Sequence, residues 1–160
     1  FDDVVPDGGE PEQVEADLAA RVAERLTEYL GHLDDLECRK AAAALRSLWA
    51  EGNVYLETRE PWKTVKVDRD RTACTLRTAI NLVALIAVAS EPWVPAAAAR
   101  LRGAFPDLDW SSVRLDAQLA QRQLVAPGDR IASPGLLFGK LAPEQLEEWA
   151  ARFGGGEVAA

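Results

Sequence analysis

The chain is 160 residues long, 48% apolar and 28% charged, a balance that belongs to a globular protein and excludes a disordered one; a chain of this size buries about two thirds of the surface its unfolded form exposes. The net charge of −8 opposes general attraction to phosphates, so any contact with nucleic acid has to come from how charge is distributed. Two cysteines, Cys38 and Cys74, with neither a second Cys nor a His at ligand spacing, exclude a zinc site and a disulfide framework and point to a reducing, cytoplasmic setting. The sequence opens at Phe1 and contains no methionine, so it reads as a fragment of a longer product. No targeting pattern begins it, and the longest apolar run, residues 79–89, is broken by Asn81 and too short to span a bilayer.

Residues 1–10 are acidic, with Pro6 and a Gly pair, and read as a linker or as the end of an upstream helix. Pro11 suits a first helical turn, and Val14, Leu18, Val22, Leu26 and Leu30 then recur every fourth residue, predicting one apolar stripe down a helix that stops at Gly31. His32 follows at the helix end, where a cation complements the dipole. A second helix is expected from Leu33 or Asp34, capped by Asp34 with Glu37 three residues on. Its buried face would hold Leu36, Ala41, Ala44, Leu45, Leu48, Gly52, Tyr55 and Leu56. Pro61 ends it, because proline disfavours the helical conformation at the preceding Glu60. Residues 63–67 read as an extended connector, and Asp68 or Asp70 caps a third helix reaching Ser90. That helix is apolar almost all round, which predicts the centre of a bundle with Ile80, Val83 and Ile86 among its most buried residues and Asn81 satisfying a buried partner.

Pro92 and Pro95 bracket Trp93 and begin a short helix over residues 96–104. Residues 107–131 are less regular, with Trp110, Val113 and Leu115 suited to a short strand or packed loop and a turn at Gly128 and Asp129. Residues 134–141, carrying Leu136, Leu137 and Phe138, are expected to tuck back into the bundle. Pro143 starts a last helix to Phe153, and residues 154–160 read as a flexible tail. The prediction is an all-α domain over residues 11–153, with no internal repeat.

The charge is unevenly spread. Residues 1–37 hold twelve acidic side chains against Arg21 and Arg25, whereas Arg59, Lys63, Lys66, Arg69 and Arg71 outnumber the three acids among residues 59–71. Trp62 lies inside this basic strip. An aromatic at a helix-ending corner flanked by cations lets a base stack while the charges meet phosphates. Taken by position alone, packing is the commoner fate of a tryptophan, and Arg59 and Lys63 read equally as solvated surface cations or as phosphate contacts.

Asn53, Tyr55, Pro61 and Trp62, as Asn-x-Tyr-x-x-x-x-x-Pro-Trp at a helix end followed by a basic connector and an apolar helix, closely resemble the anticodon-binding helical domain of class I methionyl-tRNA synthetases. The resemblance extends over most of the chain and implies a helical bundle of the class I aminoacyl-tRNA synthetase anticodon-binding type. It implies that Trp62 stacks on the first anticodon base, that Pro61 fixes its corner, and that Asn53 and Tyr55 are structural, Asn53 tying helix backbone or the facing helix. In that family a further Asn and Arg read other anticodon bases from a helix whose counterpart would precede Phe1.

A single histidine excludes the paired-histidine His-x-Gly-His signature of the adenylating site, and no Gly-rich phosphate loop or nucleophilic triad replaces it. No catalytic residue, metal ligand or cofactor is therefore assigned within the chain. The resemblance implies a methionine–tRNA ligase in which ATP and methionine bind a catalytic domain outside this chain; the partners would be the tRNA anticodon loop and that domain, with no membrane. Two other readings stay open: the anticodon domain of another class I synthetase, and a non-catalytic helical module that binds protein through its acidic N-terminal face.

Overall fold

The computed structural model describes residues 1–154, and the expected tail lies outside the described residues from 155 onward. Helix α1, Gln13–Asp34, and helix α2, Cys38–Arg59, form a hairpin closed by a tight turn in which Leu36 takes a left-handed conformation (φ 57°). Gly31 does not end α1. It lies inside the helix, which runs to Asp34, so the predicted cap Asp34 is a helical residue and Glu37 precedes α2 instead. Leu36, expected in the core, stands on the hairpin tip in solvent because the turn carries it off the α2 stripe. His32 is helical too, and its Nδ1 lies 3.0 Å from Glu37.

The stripe that α1 buries is Glu15, Leu18, Val22, Leu26 and Tyr29; Val14 and Leu30 lie at its margin. On α2 the buried residues are Ala41, Ala44, Leu45, Leu48, Tyr55 and Arg59. One turn of helix follows directly, α3 (Pro61–Thr64), where an extended connector was expected. Pro61 occupies its first position, where the missing N–H has no helical acceptor to lose.

Helix α4, Arg69–Ala89, is capped by Asp68, whose carboxylate accepts from the Arg71 N–H at 2.9 Å. It runs antiparallel to α2 and completes a three-helix core in which Leu82, Leu85, Val88 and Ala89 meet Leu18, Leu26, Leu45 and Leu48. Gly52 allows the approach, since a Cβ there would stand 3.1 Å from the Leu82 side chain. The expectation of burial all round α4 is corrected. Thr75, Ala84, Ala87 and Ala89 are its most enclosed residues, Ile80 and Ile86 are only partly buried, and Val83 is 37% exposed. The physical reason is that two layers cover α4, leaving an open sector at Val83, and close helix approach selects alanine at the tightest contacts.

The second layer is the N-terminal segment together with residues 104–131. Val5 is buried with Ala84, Ala104, Phe105 and Val125. Residues 1–10 are therefore a strap, not a loose linker. The Val5 N–H donates to Asp129 O at 2.8 Å, Gly128 N–H to Val5 O at 2.9 Å and Ile131 N–H to Asp3 O at 2.8 Å. Arg77 of α4 donates to the carbonyls of Pro6, Gly8 and Gly9 at 2.9–3.2 Å. Asn81, the one polar residue in its apolar run, stitches the loop down: its Nδ2 donates to Arg77 O and Val125 O, and its Oδ1 accepts from the Leu124 and Val125 N–H groups. Helix α5, Pro95–Gly103, packs on α4, and residues 107–131 carry two short 3-10 turns and no strand.

At the far end of the core the Tyr29 hydroxyl donates to Ala89 O at 2.8 Å and accepts from Trp93 Nε1 at 2.9 Å, while Trp49 Nε1 donates to Ser90 at 3.2 Å. Residues 134–141 do not tuck back. Leu136, Phe138 and Leu141 are exposed, and α6 (Pro143–Phe153) has no buried residue.

Two glycines differ in what they tolerate. A Cβ on Gly9 would stand 2.2 Å from the Asp70 carbonyl oxygen at a φ of +65°, so Gly9→Ala lowers stability by about 1–3 kcal/mol in urea unfolding. Gly31→Ala, in open space inside a helix, raises it by about 0.5–1 kcal/mol. Acid reports on the second layer. Arg130 holds the Asp107 carboxyl down at about 2, first through its side-chain hydrogen bond and then through its backbone N–H. A carboxyl depressed on folding contributes stability above its unfolded pKa and loses it as pH falls through the folded one. The melting-temperature advantage over Asp107→Asn is therefore full at neutral pH and disappears between about pH 4 and pH 2.

Candidate functional site: the corner at Trp62

The basic strip folds into a corner between α2 and α4. Helix α2 stops at Glu60, which adopts φ 45° and ψ 55°, the left-handed region that favours glycine. Its N–H still closes on Leu56 O at 2.9 Å, and its own carbonyl accepts from the Lys63 and Thr64 N–H groups to start α3. Pro61 is buried. Thr64 meets Thr72 of α4, oxygen to oxygen, at 2.8 Å. Between these fixed points Trp62 projects outward, 59% exposed.

Upstream of the turn the chain is anchored by charge. Arg59, expected as a surface cation with access to phosphate, is 3% exposed, which corrects that expectation. Its Nη1 donates to Glu12 at 2.6 Å, its Nε lies 3.2 Å from Glu15 and donates to Thr75 of α4 at 3.3 Å. Glu15 also accepts from the Tyr55 hydroxyl at 2.7 Å and from the Glu12 N–H at 2.8 Å. Burial disfavours charge on Arg59, but the hydrogen bond to Glu12 and the negative charges of Glu15 and Glu12 outweigh it, and the guanidinium is held cationic. Burial, reinforced by the bond to Glu15, pushes the Tyr55 phenol far up, so Tyr55 keeps its proton and donates.

Lys63 is exposed and meets Glu60 at 2.6 Å. Asn53, expected to tie helix backbone or the facing helix, is exposed on α2 and makes no side-chain hydrogen bond among the described residues. Lys66 and Arg69 are exposed, with no carboxylate partner among the described residues, and Arg69 lies over the Phe1 ring at 4.5 Å. Cys74, buried near Glu15 and Arg59, has its thiol pushed up by burial. A cleft of about 410 Å³ opens between α1, α4 and residues 119–123, floored by Leu18, Leu82 and Leu85. No residue of α3 lines it. No group of acids, histidines and cysteines suited to a metal occurs among the described residues.

The structure thus brings Trp62 and Lys63 together at the surface on a buried Pro61 and withdraws Arg59 into the core. Glu15 is a member of this cluster that sequence reasoning does not single out. A signal for both ions is nevertheless present in the sequence: Glu15 continues the stripe of Leu18, Val22 and Leu26, and Arg59 continues that of Leu48, Gly52 and Tyr55. Removing one donor tests this cluster. Tyr55→Phe leaves a buried carboxylate short of a hydrogen bond and costs about 1–3 kcal/mol in chemical denaturation, with no cavity to account for it.

Residues 5–158 match the family model described as the anticodon binding domain of methionyl tRNA ligase. The methionine–tRNA ligase of Caulobacter vibrioides is 46% identical over 158 residues, which is 98% of this chain and 28% of that protein. The Streptomyces avermitilis methionine–tRNA ligase is 40% identical over 97% of this chain and 27% of its own length. The chain therefore spans little more than a quarter of the curated relatives it matches. Among solved structures, the apo methionyl-tRNA synthetase of Mycobacterium tuberculosis aligns with a TM-score of 0.74 at 24% identity, covering 89% of this chain and 29% of that one.

Proposed function

The chain belongs to the family of methionyl-tRNA ligase anticodon-binding domains, and from that membership we propose that it recognises the tRNA anticodon loop as the non-catalytic part of a methionine–tRNA ligase, with Trp62 stacking on an anticodon base. The observation that carries the finer reading is the exposure of Trp62. An indole 59% open to solvent on a corner whose backbone is fixed by a buried proline and by Thr64 against α4 presents a flat π-face to a base. Base stacking on such a face contributes about 1–3 kcal/mol per base.

Phosphate contact then falls to Lys63, Lys66 and Arg69. Lys63 exchanges Glu60 for a phosphate at small cost, because an exposed ion pair is worth only about 0–1 kcal/mol. The acidic remainder of the chain repels a polyanion from its other faces, so the basic strip also directs approach. Relatives named for methionine at 38–46% identity favour the methionine enzyme over other class I ligases. ATP and methionine are then bound outside this chain, which holds a single histidine and hence no His-x-Gly-His pair.

In the full-length ligase, Trp62→Ala is expected to raise KM for tRNA by the equivalent of about 1–3 kcal/mol, with the melting temperature held because the side chain is mostly exposed. An unchanged KM, or a large loss of stability in its place, overturns the stacking reading. Lys66→Ala weakens binding to all anticodon sequences alike and lowers the salt slope by about 0.7–0.9 for each phosphate that is no longer neutralised.

A further inference from the structure

Trp62 is joined to α2 through Glu60, a non-glycine residue in the left-handed region (φ 45°, ψ 55°), a conformation that persists only where its surroundings over-determine it. No glycine supplies it here. What holds the turn is visible on both sides. Before it, Arg59 reaches Thr75 of α4 and the Glu12 and Glu15 carboxylates of the α1 end; after it, Thr64 reaches Thr72 of α4. Thr72 and Thr75 lie one helical turn apart on one face. The corner is therefore a staple across one turn of α4, with Trp62 at its apex.

We infer that Arg59 is a positioning residue for RNA recognition: clamped by Glu15 and Glu12, it sets the left-handed turn at Glu60 and with it the pose of the Trp62 indole. The inference rests on the stacking reading above. Charge is what this role requires. Replacing a whole buried ion pair by apolar side chains of similar volume often costs no stability, so stability alone does not explain a buried arginine between two carboxylates. The planar fork, by contrast, has directions: one nitrogen is committed to Glu12 and another to Glu15 and Thr75, and rotation about the helix end breaks both sets together.

The test is a double-mutant cycle in the full-length ligase, reading KM for tRNA against kcat at saturating tRNA and gated by the melting temperature. Arg59→Met is expected to raise KM about tenfold with kcat held, and to add nothing in a Trp62→Ala background, because Arg59 acts through that indole. Glu12→Gln, at an exposed position at the start of α1, is expected to raise KM about threefold, again only where Trp62 is present. Should Arg59→Met not fold, the Glu12→Gln cycle decides alone. A folded Arg59→Met with normal KM, a Glu12→Gln with normal KM, or effects that multiply with that of Trp62→Ala overturn the inference while the stacking reading stands. A Trp62→Ala enzyme with normal KM overturns both.

Discussion

Glu15 is the side chain at which the three long helices meet. A carboxylate taken out of water is costly unless its oxygens are matched by donors, and here α1 and α2 supply them while α4 is tied in through Arg59. The start of α1 offers the Glu12 N–H, α2 offers the Tyr55 hydroxyl and the Arg59 guanidinium, and α4 joins through Thr75. Leucine and alanine contacts along the middle of the bundle set distance but little direction. The directional bonds at this end, and those of Tyr29, Trp49 and Trp93 at the other, fix how the helices are rotated and how far each has slid.

The same cluster decides what charge the corner shows to solvent. Five cations lie within residues 59–71, but they do not form one surface. Arg59 is neutralised inside the bundle, Lys63 is held by Glu60, and Lys66 and Arg69 stand free of carboxylates among the described residues. The positive field is thereby displaced downstream of Trp62, along the turn into α4.

Helix α4 separates two tasks. One side packs against the α1–α2 hairpin and carries the anchors of the corner; the other is covered by the N-terminal strap and residues 104–131, held by Arg77 and Asn81. Both polar residues bind backbone carbonyls or amides of irregular segments to a helix, which is how chain without secondary structure is kept in place next to a core. By length and composition alone α4 is apolar enough to cross a membrane, yet two of its faces are the interior of this bundle. The C-terminal helix contrasts with it, since Leu146, Trp149 and Phe153 lie on an exposed face.

Much of this architecture is legible in the amino-acid sequence. Periodicity locates the long helices, proline places the break at residue 61, Asp68 caps α4, and the spacing of Asn53, Tyr55, Pro61 and Trp62 points to the family. Those features depend on near neighbours along the chain, so a one-dimensional pattern reports them. Three matters are not legible in this way. The strap of residues 1–10 reads as loose because its partners, Arg77 and the turn at Gly128, lie far along the sequence. Val83 and Ile86 read as central because a helix apolar all round does not say which sectors its neighbours cover. Arg59 reads as a surface cation because charge normally means solvent, although its place on the Tyr55 stripe points inward. Glu15 and Tyr55 are forty positions apart, and only tertiary structure brings an acid on one buried stripe against an arginine on another, where each supplies the counter-charge that allows the other to be buried.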